Sequence, residues 1–125
     1  MIDPELRAIL DAAPIAHLAT VMPDGGPHSV PVWIGVVDDR VALMTGPGTL
    51  KARNLRRDPR LAISLTRTDD RFRSVVLRGR VVEWAEGDAG WRVVNALAMK
   101  YIGAEYPRDS PRVGVFVEFD HEVIA

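Results

Sequence analysis

The order of six extended segments along the chain constrains its fold more than any other feature. Each segment has the alternating or β-branched pattern of a strand and is bounded by turn residues. Three helical segments accompany them, but strands and helices do not alternate regularly, as they would in a parallel sheet. This order predicts a mainly β (α+β) domain in which six strands form a closed or nearly closed barrel with about three short helices. The predicted strands cover residues 15–22, 28–37, 41–45, 60–66, 73–84 and 113–119.

The helices are expected where a capping residue precedes an apolar periodicity. Asp3 is followed by a proline and an acid, which suit the first positions of a helix. Thr49 opens a second helix that we expect to reach Arg57. The third helix follows residues 86–88 and has one apolar stripe, formed by Trp91, Val94, Leu97, Ala98 and Tyr101.

Three short features mark a turn or an irregularity in the predicted strands. Asp38 and Asp39 form a two-residue turn between the second and third strands. Pro31 lies inside the second strand and cannot donate to a ladder, so it should mark a sheet edge, a bulge or a gap that faces a ligand. Gly79 interrupts the long fifth strand.

Composition narrows the class of protein. The net charge is −1, whereas nucleic-acid-binding domains are usually basic overall, so we expect no nucleic-acid partner. The chain has no cysteine, which excludes disulfides, thiolate metal sites and cysteine nucleophiles. No apolar run approaches the ~20 residues of a membrane span, and the N-terminus lacks a signal pattern. We therefore expect one cytoplasmic domain over residues 1–125 that makes no membrane contact.

The segment between the third strand and the second helix has the pattern of a phosphate site. A glycine turn follows Thr45, Thr49 precedes the helix, and Lys51 lies two residues into it. Backbone N–H groups at a helix N-terminus, with a hydroxyl and a lysine beside them, suit a phosphate group. The same pattern also fits an ordinary helix cap followed by a solvated lysine, and spacing alone does not separate the two interpretations.

The arginines of this helix point elsewhere. At 100° per residue, Arg53, Arg56 and Arg57 share one face, and Lys51 lies roughly 120–160° away from them. One anion cannot easily contact all four side chains. The arginine face is either solvated, which is the commoner outcome, or a second contact for an extended anionic ligand.

No pattern of protein-borne catalysis is present in the sequence. On the second strand, His28, Val30 and Val32 should share one face, and Ser29, Pro31 and Trp33 the other. His28 has no ligand-spaced partner, so we predict no metal site. The chain also lacks a nucleophile elbow and a P-loop. We predict no catalytic side chain and expect that a cofactor supplies any chemistry.

Several short motifs together resemble one known family. In order, they are HLAT at 17–20, PHSVPVW at 27–33, MT at 44–45, TLKARNLRRDPR at 49–60 and VLRGR at 76–80. This order is similar to that of the split-barrel flavin and deazaflavin oxidoreductases, a superfamily that includes pyridoxamine 5'-phosphate oxidase. The resemblance covers nearly the whole chain and implies a six-stranded split β-barrel of the FMN-binding type.

The resemblance also implies a homodimer with two cofactor sites between the subunits. The backbone around Pro31 would face the cofactor ring, whereas Thr45, Thr49 and Lys51 would hold its phosphate. Ser74 would reach a cofactor from its own subunit or from the other. The implied cofactor-binding residues are His28, Ser29, Val30, Pro31, Val32, Thr45, Thr49, Leu50, Lys51, Arg53, Arg57 and Ser74.

Departures from the oxidase pattern favour a different subgroup. Leu50 occupies the place of a basic residue before Lys51, and His28 or Ser29 stands where the oxidases have an arginine. The oxidases' substrate-binding C-terminal extension has no counterpart before Ala125, so vitamin B6 oxidation is not expected. The run 51–59 is most similar to actinobacterial proteins that use the deazaflavin F420. Its oligoglutamate tail would give the arginine face a ligand, which FMN would not.

The resemblance therefore predicts an F420-dependent reductase that transfers hydride from the deazaflavin to a small organic substrate, which the sequence does not identify. An FMN-dependent oxidoreductase of the same fold is the alternative. A non-catalytic flavin- or deazaflavin-binding protein is a third hypothesis. A fourth, a barrel that binds single-stranded nucleic acid through residues 51–60, is disfavoured by the neutral net charge and the low aromatic content.

Overall fold

The computed structural model describes residues 2–125. This part of the chain contains three helices and seven strands that pair antiparallel in one sheet. The helices are α1 (Pro4–Asp11), α2 (Leu50–Arg57) and α3 (Gly87–Ile102). The strands are β1 (Ala16–Val21), β2 (Pro27–Val32), β3 (Ile34–Val37), β4 (Arg40–Thr45), β5 (Arg60–Thr66), β6 (Ser74–Ala85) and β7 (Val113–Ile124). The predicted mainly β class with three helices is confirmed.

The predicted count of six strands is wrong by one, because the segment 28–37 is divided at Trp33. Its two halves, β2 and β3, are the outermost strands of the order β2-β1-β5-β6-β7-β4-β3. A single residue thus joins the two edges of the sheet, which must curl to bring them together. Pro31 lies on the edge strand β2, which is one of the three positions predicted for it, and is opposite His17 of β1.

Apolar side chains fill the inside of the curled sheet. Leu18, Ile63 and Leu77 of neighbouring strands are almost completely buried there, and Leu6 and Leu10 of α1 pack against them. The start of α1 follows from its capping residue, because the Asp3 carboxylate accepts hydrogen bonds from the backbone of the first turn. The interior is therefore packed by side chains.

Helix α3 covers the outer face of one half of the sheet. Val93 and Leu97 of α3 pack against Val37, Ala42 and Phe116, which alternate with inward-facing neighbours on β3, β4 and β7. The outer face of β1, β5 and β6 carries exposed side chains instead. No helix described within residues 2–125 is long and apolar enough to cross a membrane.

Two local backbone features shape the long strands. Asp38 and Asp39 have φ of +54° and +59°, as a tight turn with both central residues in the left-handed region requires. Gly79 lies beside a register shift between β6 and β7, and a Cβ atom there would lie 1.8 Å from the Glu118 carbonyl oxygen. Only glycine fits this contact. β6 is one continuous strand from Ser74 to Ala85, and one of its irregularities lies at Gly79, where the sequence predicts an interruption.

Candidate functional site

The turn between β4 and α2 is fixed by two threonine hydroxyls. Thr49 is the N-cap of α2, as predicted, and its Oγ1 accepts a hydrogen bond from the Ala52 N–H at 3.3 Å. The same hydroxyl lies 2.8 Å from the Gly46 carbonyl oxygen, to which it donates, and 2.9 Å from Thr45 Oγ1. Thr45 is buried. These contacts set the direction in which the first turn of α2 leaves the sheet.

Lys51 lies in that first turn and is half-buried. Within residues 2–125 its ammonium group has no hydrogen bond and no ion pair. Burial, and secondarily the positive charge of Arg112, lower the pKa of Lys51 below its usual range. The side chain borders a groove of about 180 Å³ whose lining residues are Pro31, Val32, Trp33, Met44, Lys51 and Tyr106.

Aromatic rings form one wall of the groove. The Trp33 ring stacks on Tyr101, with centroids 4.9 Å apart and planes at 7°. Tyr106 meets Trp33 edge-on at 6.0 Å. The groove thus combines flat apolar surfaces with one cation, and none of its six lining residues is a carboxylate, an imidazole or a thiol. Such a site suits a planar ligand with an anionic group better than it suits acid–base catalysis by side chains.

Arg112, which the sequence reasoning missed, lies next to this corner. It precedes Val113, whose partner across the β4–β7 ladder is Thr45. Its guanidinium donates to Ser110 Oγ and to the Pro111 carbonyl, each at 2.8 Å. No local pattern marks Arg112, because only the pairing of β4 with β7 brings it beside the turn.

The two faces of β2 alternate as predicted. His28 and Val30 are half-buried and Val32 is buried, whereas Ser29 and Pro31 are exposed. Pro31 and Val32 line the groove, but His28, Ser29 and Val30 are not among its lining residues. The Nδ1 atom of His28 is buried without a hydrogen-bond partner among the described residues.

The predicted arginine face of α2 separates into three different environments. Arg56 donates to Glu86 at 2.8 Å and covers the Trp84 ring at 3.8 Å. Arg57 donates to Asn54 Oδ1 at 3.1 Å and to the Val21 carbonyl. Arg53 is exposed and has no ion pair or hydrogen bond to another residue between 2 and 125, apart from its helical backbone. Leu50, at the start of α2, is half-buried.

Ser74 does not lie with Lys51 in the same groove. It is the first residue of β6, pairs with Thr66, and borders a separate depression on the outer face of the sheet with His17 and Ser64. Within one chain, Ser74 and Lys51 therefore border different depressions. Across residues 2–125, no three side chains among His, Cys, Asp and Glu are grouped so that they could hold a metal ion.

Comparison with known proteins places these features in a family. The family model described as "Pyridoxamine 5'-phosphate oxidase" matches residues 2–122. A solved structure described as an F420 reductase is 26% identical with a TM-score of 0.83, and the match covers 98% of each chain. The conserved hypothetical protein Rv2991 from Mycobacterium tuberculosis is 30% identical with a TM-score of 0.80, covering 98% of this chain and 82% of that one.

A more distant structure shares the fold. The structure described as a putative pyridoxamine 5'-phosphate oxidase from Listeria innocua is 17% identical with a TM-score of 0.74, covering 96% of this chain and 94% of its own. No curated protein matches the sequence.

Proposed function

Because the chain belongs to the pyridoxamine 5'-phosphate oxidase family, we propose that it is a cytoplasmic F420-dependent oxidoreductase that transfers hydride between the deazaflavin and a small organic substrate. The family match and the likeness to an F420 reductase support a flavin- or deazaflavin-related oxidoreductase. FMN is the alternative cofactor.

The half-buried ammonium of Lys51 carries this proposal. It borders an aromatic-lined groove and has no carboxylate partner within residues 2–125. A cation withdrawn from water without a counter-ion is costly, and an anionic ligand relieves that cost. The phosphate of F420 or of FMN supplies such an anion, with the Thr45–Thr49 contact fixing the backbone beside it. The residues present therefore fit the phosphate part of either cofactor.

Arg53 favours F420 over FMN. Its side chain is exposed on α2, and no acid of the described chain neutralises it. An oligoglutamate tail that leaves the phosphate corner would carry carboxylates for this cation, whereas FMN ends at its phosphate. Arg56 and Arg57 already have partners in the chain, so Arg53 is the arginine of this face that a tail carboxylate would bind.

A homodimer completes the site in this proposal. The groove of about 180 Å³ is smaller than the roughly 300–1,000 Å³ of typical ligand pockets, so a second surface is needed to enclose a tricyclic ring. The outer face of the sheet offers that surface, because Val76 and Val123 are 38% and 49% exposed on neighbouring strands. Ile15 is 53% exposed and lines the same depression as Ser64 and Ser74. Ser74 on this face would then approach the partner's cofactor.

The chain's own residues bind and orient in this reaction. When bound, the deazaflavin would supply the hydride. Trp33 and Tyr106 would shield one side of the groove from water, and the Lys51 ammonium would hold the anionic end of the cofactor. Because the groove lining has no carboxylate or imidazole, any proton that the product needs would come from solvent.

A cofactor titration tests the proposal. Purified protein, freed of ligand, is titrated with F420 and with FMN at one ionic strength. We expect tighter binding of F420 and oxidation of the reduced cofactor by electron-poor organic acceptors. Tighter binding of FMN would favour the alternative, an FMN-dependent oxidoreductase. Binding without hydride transfer to any acceptor would favour a cofactor carrier. Failure to bind either molecule would overturn the proposal.

A further inference from the structure

We propose that Arg112 is a second anion-binding residue of this site, that it clamps the cofactor phosphate together with Lys51, and that Tyr106 positions it. The inference rests on the proposed function, since it assigns a further residue to the same cofactor. It concerns the loop between α3 and β7, in which the sequence motifs indicated no ligand contact.

The position of Arg112 follows from the sheet. Val113 pairs with Thr45, so the residue before it comes to lie beside the Thr45–Gly46 turn. A Cβ atom on Gly46 would lie 3.4 Å from Arg112 Nη1 and 3.3 Å from Thr49 Cγ2. The absence of a side chain at Gly46 therefore lets the guanidinium approach the corner where the first turn of α2 begins.

The distribution of ion pairs singles out Arg112 and Lys51. Both side chains are half-buried, and neither has a carboxylate within ion-pair distance in the described part of the chain. The other half-buried cations all have an acidic partner: Arg7 pairs with Asp39, Arg40 with Glu83, Arg67 with Asp69 and Lys100 with Asp11.

The two unpaired cations also interact with each other. The charge of Arg112 contributes, after burial, to the lowered pKa of Lys51. Two half-buried positive charges that repel each other and have no carboxylate form a site for a shared anion. The partners that Arg112 does have, Ser110 Oγ, the Pro111 carbonyl and the Tyr106 hydroxyl, are neutral and leave its full charge available.

Tyr106 connects this cation to the groove wall. Its hydroxyl accepts a hydrogen bond from Arg112 Nη2 at 3.3 Å, and its ring lies 5.2 Å from the guanidinium carbon. Its own backbone N–H donates to Asn95 Oδ1 of α3 at 3.0 Å, which holds the loop. The same ring meets Trp33 edge-on. Tyr106 is thus a positioning residue that places Arg112 while lining the groove.

The test compares Arg112→Gln with Arg108→Gln. Arg108 lies on the same loop, but its guanidinium covers the Trp91 ring at 4.6 Å, and neither Arg108 nor Trp91 lines the groove. The probes are FMN, F420 and riboflavin, which has the ring of FMN without its phosphate. We expect Arg112→Gln to weaken FMN and F420 binding about ten- to a hundredfold and to leave riboflavin binding unchanged. Tyr106→Phe should weaken only the phosphate-bearing ligands, by several-fold.

Arg112→Lys keeps the positive charge, so it should bind FMN and F420 more tightly than Arg112→Gln does. This comparison separates a charge effect from a folding defect. Equal FMN and F420 affinities for Arg112→Gln and Arg108→Gln would overturn the inference. A second measurement needs no cofactor: an NMR titration of the Lys51 ammonium should show a higher pKa in Arg112→Gln than in Arg108→Gln. An unchanged Lys51 pKa would also overturn it. If the wild-type protein binds neither cofactor, the proposed function fails, while this titration still decides whether the two cations interact.

Discussion

The hydroxyl of Tyr101 accepts a hydrogen bond from the backbone N–H of Ile34 at 3.1 Å. It also donates to the carbonyl of Pro14, the residue that leads into β1. A single phenol on α3 thus satisfies backbone groups at the point where the two edges of the sheet meet. Its ring supports Trp33, which lines the groove.

Tyr101→Phe should therefore destabilise the fold by about 1–3 kcal/mol, because the Ile34 N–H and the Pro14 carbonyl lose their partner. Burial raises the pKa of Tyr101, so the hydroxyl keeps its proton through neutral and mildly alkaline pH. Urea unfolding at pH 7 measures the change. Tyr106→Phe is the matched control, since within residues 2–125 its hydroxyl hydrogen-bonds only with Arg112, and the change should cost less than about 1 kcal/mol. Equal losses in both variants would contradict the role of Tyr101.

Gly79→Ala should cost about 3 kcal/mol or prevent folding, because the new Cβ would lie 1.8 Å from the Glu118 carbonyl oxygen. Gly48→Ala is the control, since a Cβ there meets no atom within 4 Å. Thermal unfolding of the two variants should differ sharply. A melting temperature for Gly79→Ala equal to that of the control would mean that β6 and β7 separate easily at this point.

Lys51→Ala should weaken binding of F420 and FMN by roughly 1.5–3 kcal/mol, about ten- to a hundredfold. Lys100→Ala is the control, because Lys100 pairs with Asp11 outside the groove. The pH dependence has a definite sign. The pKa of Lys51 is lowered from 10.5, so its charge, and with it the affinity, should decline at a lower pH than for an ordinary lysine. Calorimetric titrations at several pH values would show a flat profile if Lys51 were not in contact with the phosphate.

Arg53→Gln should reduce the preference for F420 with a long oligoglutamate tail over F420 with a short one. The reason is that Arg53 has no acidic partner in the described chain, so a tail carboxylate would be its counter-ion. Arg56→Gln should leave the tail-length preference unchanged, since Arg56 is held between Glu86 and Trp84. Affinities measured at low and high salt check the electrostatic origin. If Arg53→Gln bound both forms as the wild type does, Arg53 would be solvated surface.

Asp58 links acid stability to the end of α2. Hydrogen bonds from the Arg60 side chain, and then from its backbone, lower the pKa of Asp58 from 3.8 to about 2. Because the folded value is the lower one, this contribution to stability is present above pH 3.8 and is lost as the pH falls toward 2. Arg60→Gln should raise the pKa of Asp58 toward its usual value, as an NMR titration of the carboxyl carbon would show. Arg80→Gln, on the strand opposite, should leave it unchanged.

Local chemistry made much of the fold predictable. The Asp3 and Thr49 caps and the Asp38–Asp39 turn each depend on residues no more than a few positions apart in the sequence. The alternation of β2 and the edge position of Pro31 follow from strand geometry and from the missing N–H. Predicted segments built on such signals lie within one or two residues of the observed strands and helices, except at the end of β7 and at Trp33, where one predicted strand is two.

Features that depend on distant pairing were not predictable in this way. The segment 28–37 has a continuous strand pattern, but its two halves pair with different strands, β1 and β4, and the Tyr101 hydroxyl of α3 accepts a hydrogen bond from the Ile34 N–H beside the break. β7 extends to Ile124 because β6 pairs along its full length. Arg112 reaches the site only through the β4–β7 ladder. Arg57 keeps its contact with Val21 through the packing of α2 on β1, which helical geometry alone does not show.

The joining of the two sheet edges at Trp33 also bears on how the protein folds. β2 and β3 each pair with a neighbour in the chain, β1 and β4, but bringing these two hairpins into one sheet requires distant pairings such as Val41 with Val117. Folds dominated by such non-local contacts form in about milliseconds to seconds. The groove takes Pro31 from one edge strand and Met44 from the strand beside the other edge. Neither the β1–β2 hairpin nor the β3–β4 hairpin can form the groove alone, so the binding site exists only where the curled sheet has brought both hairpins together.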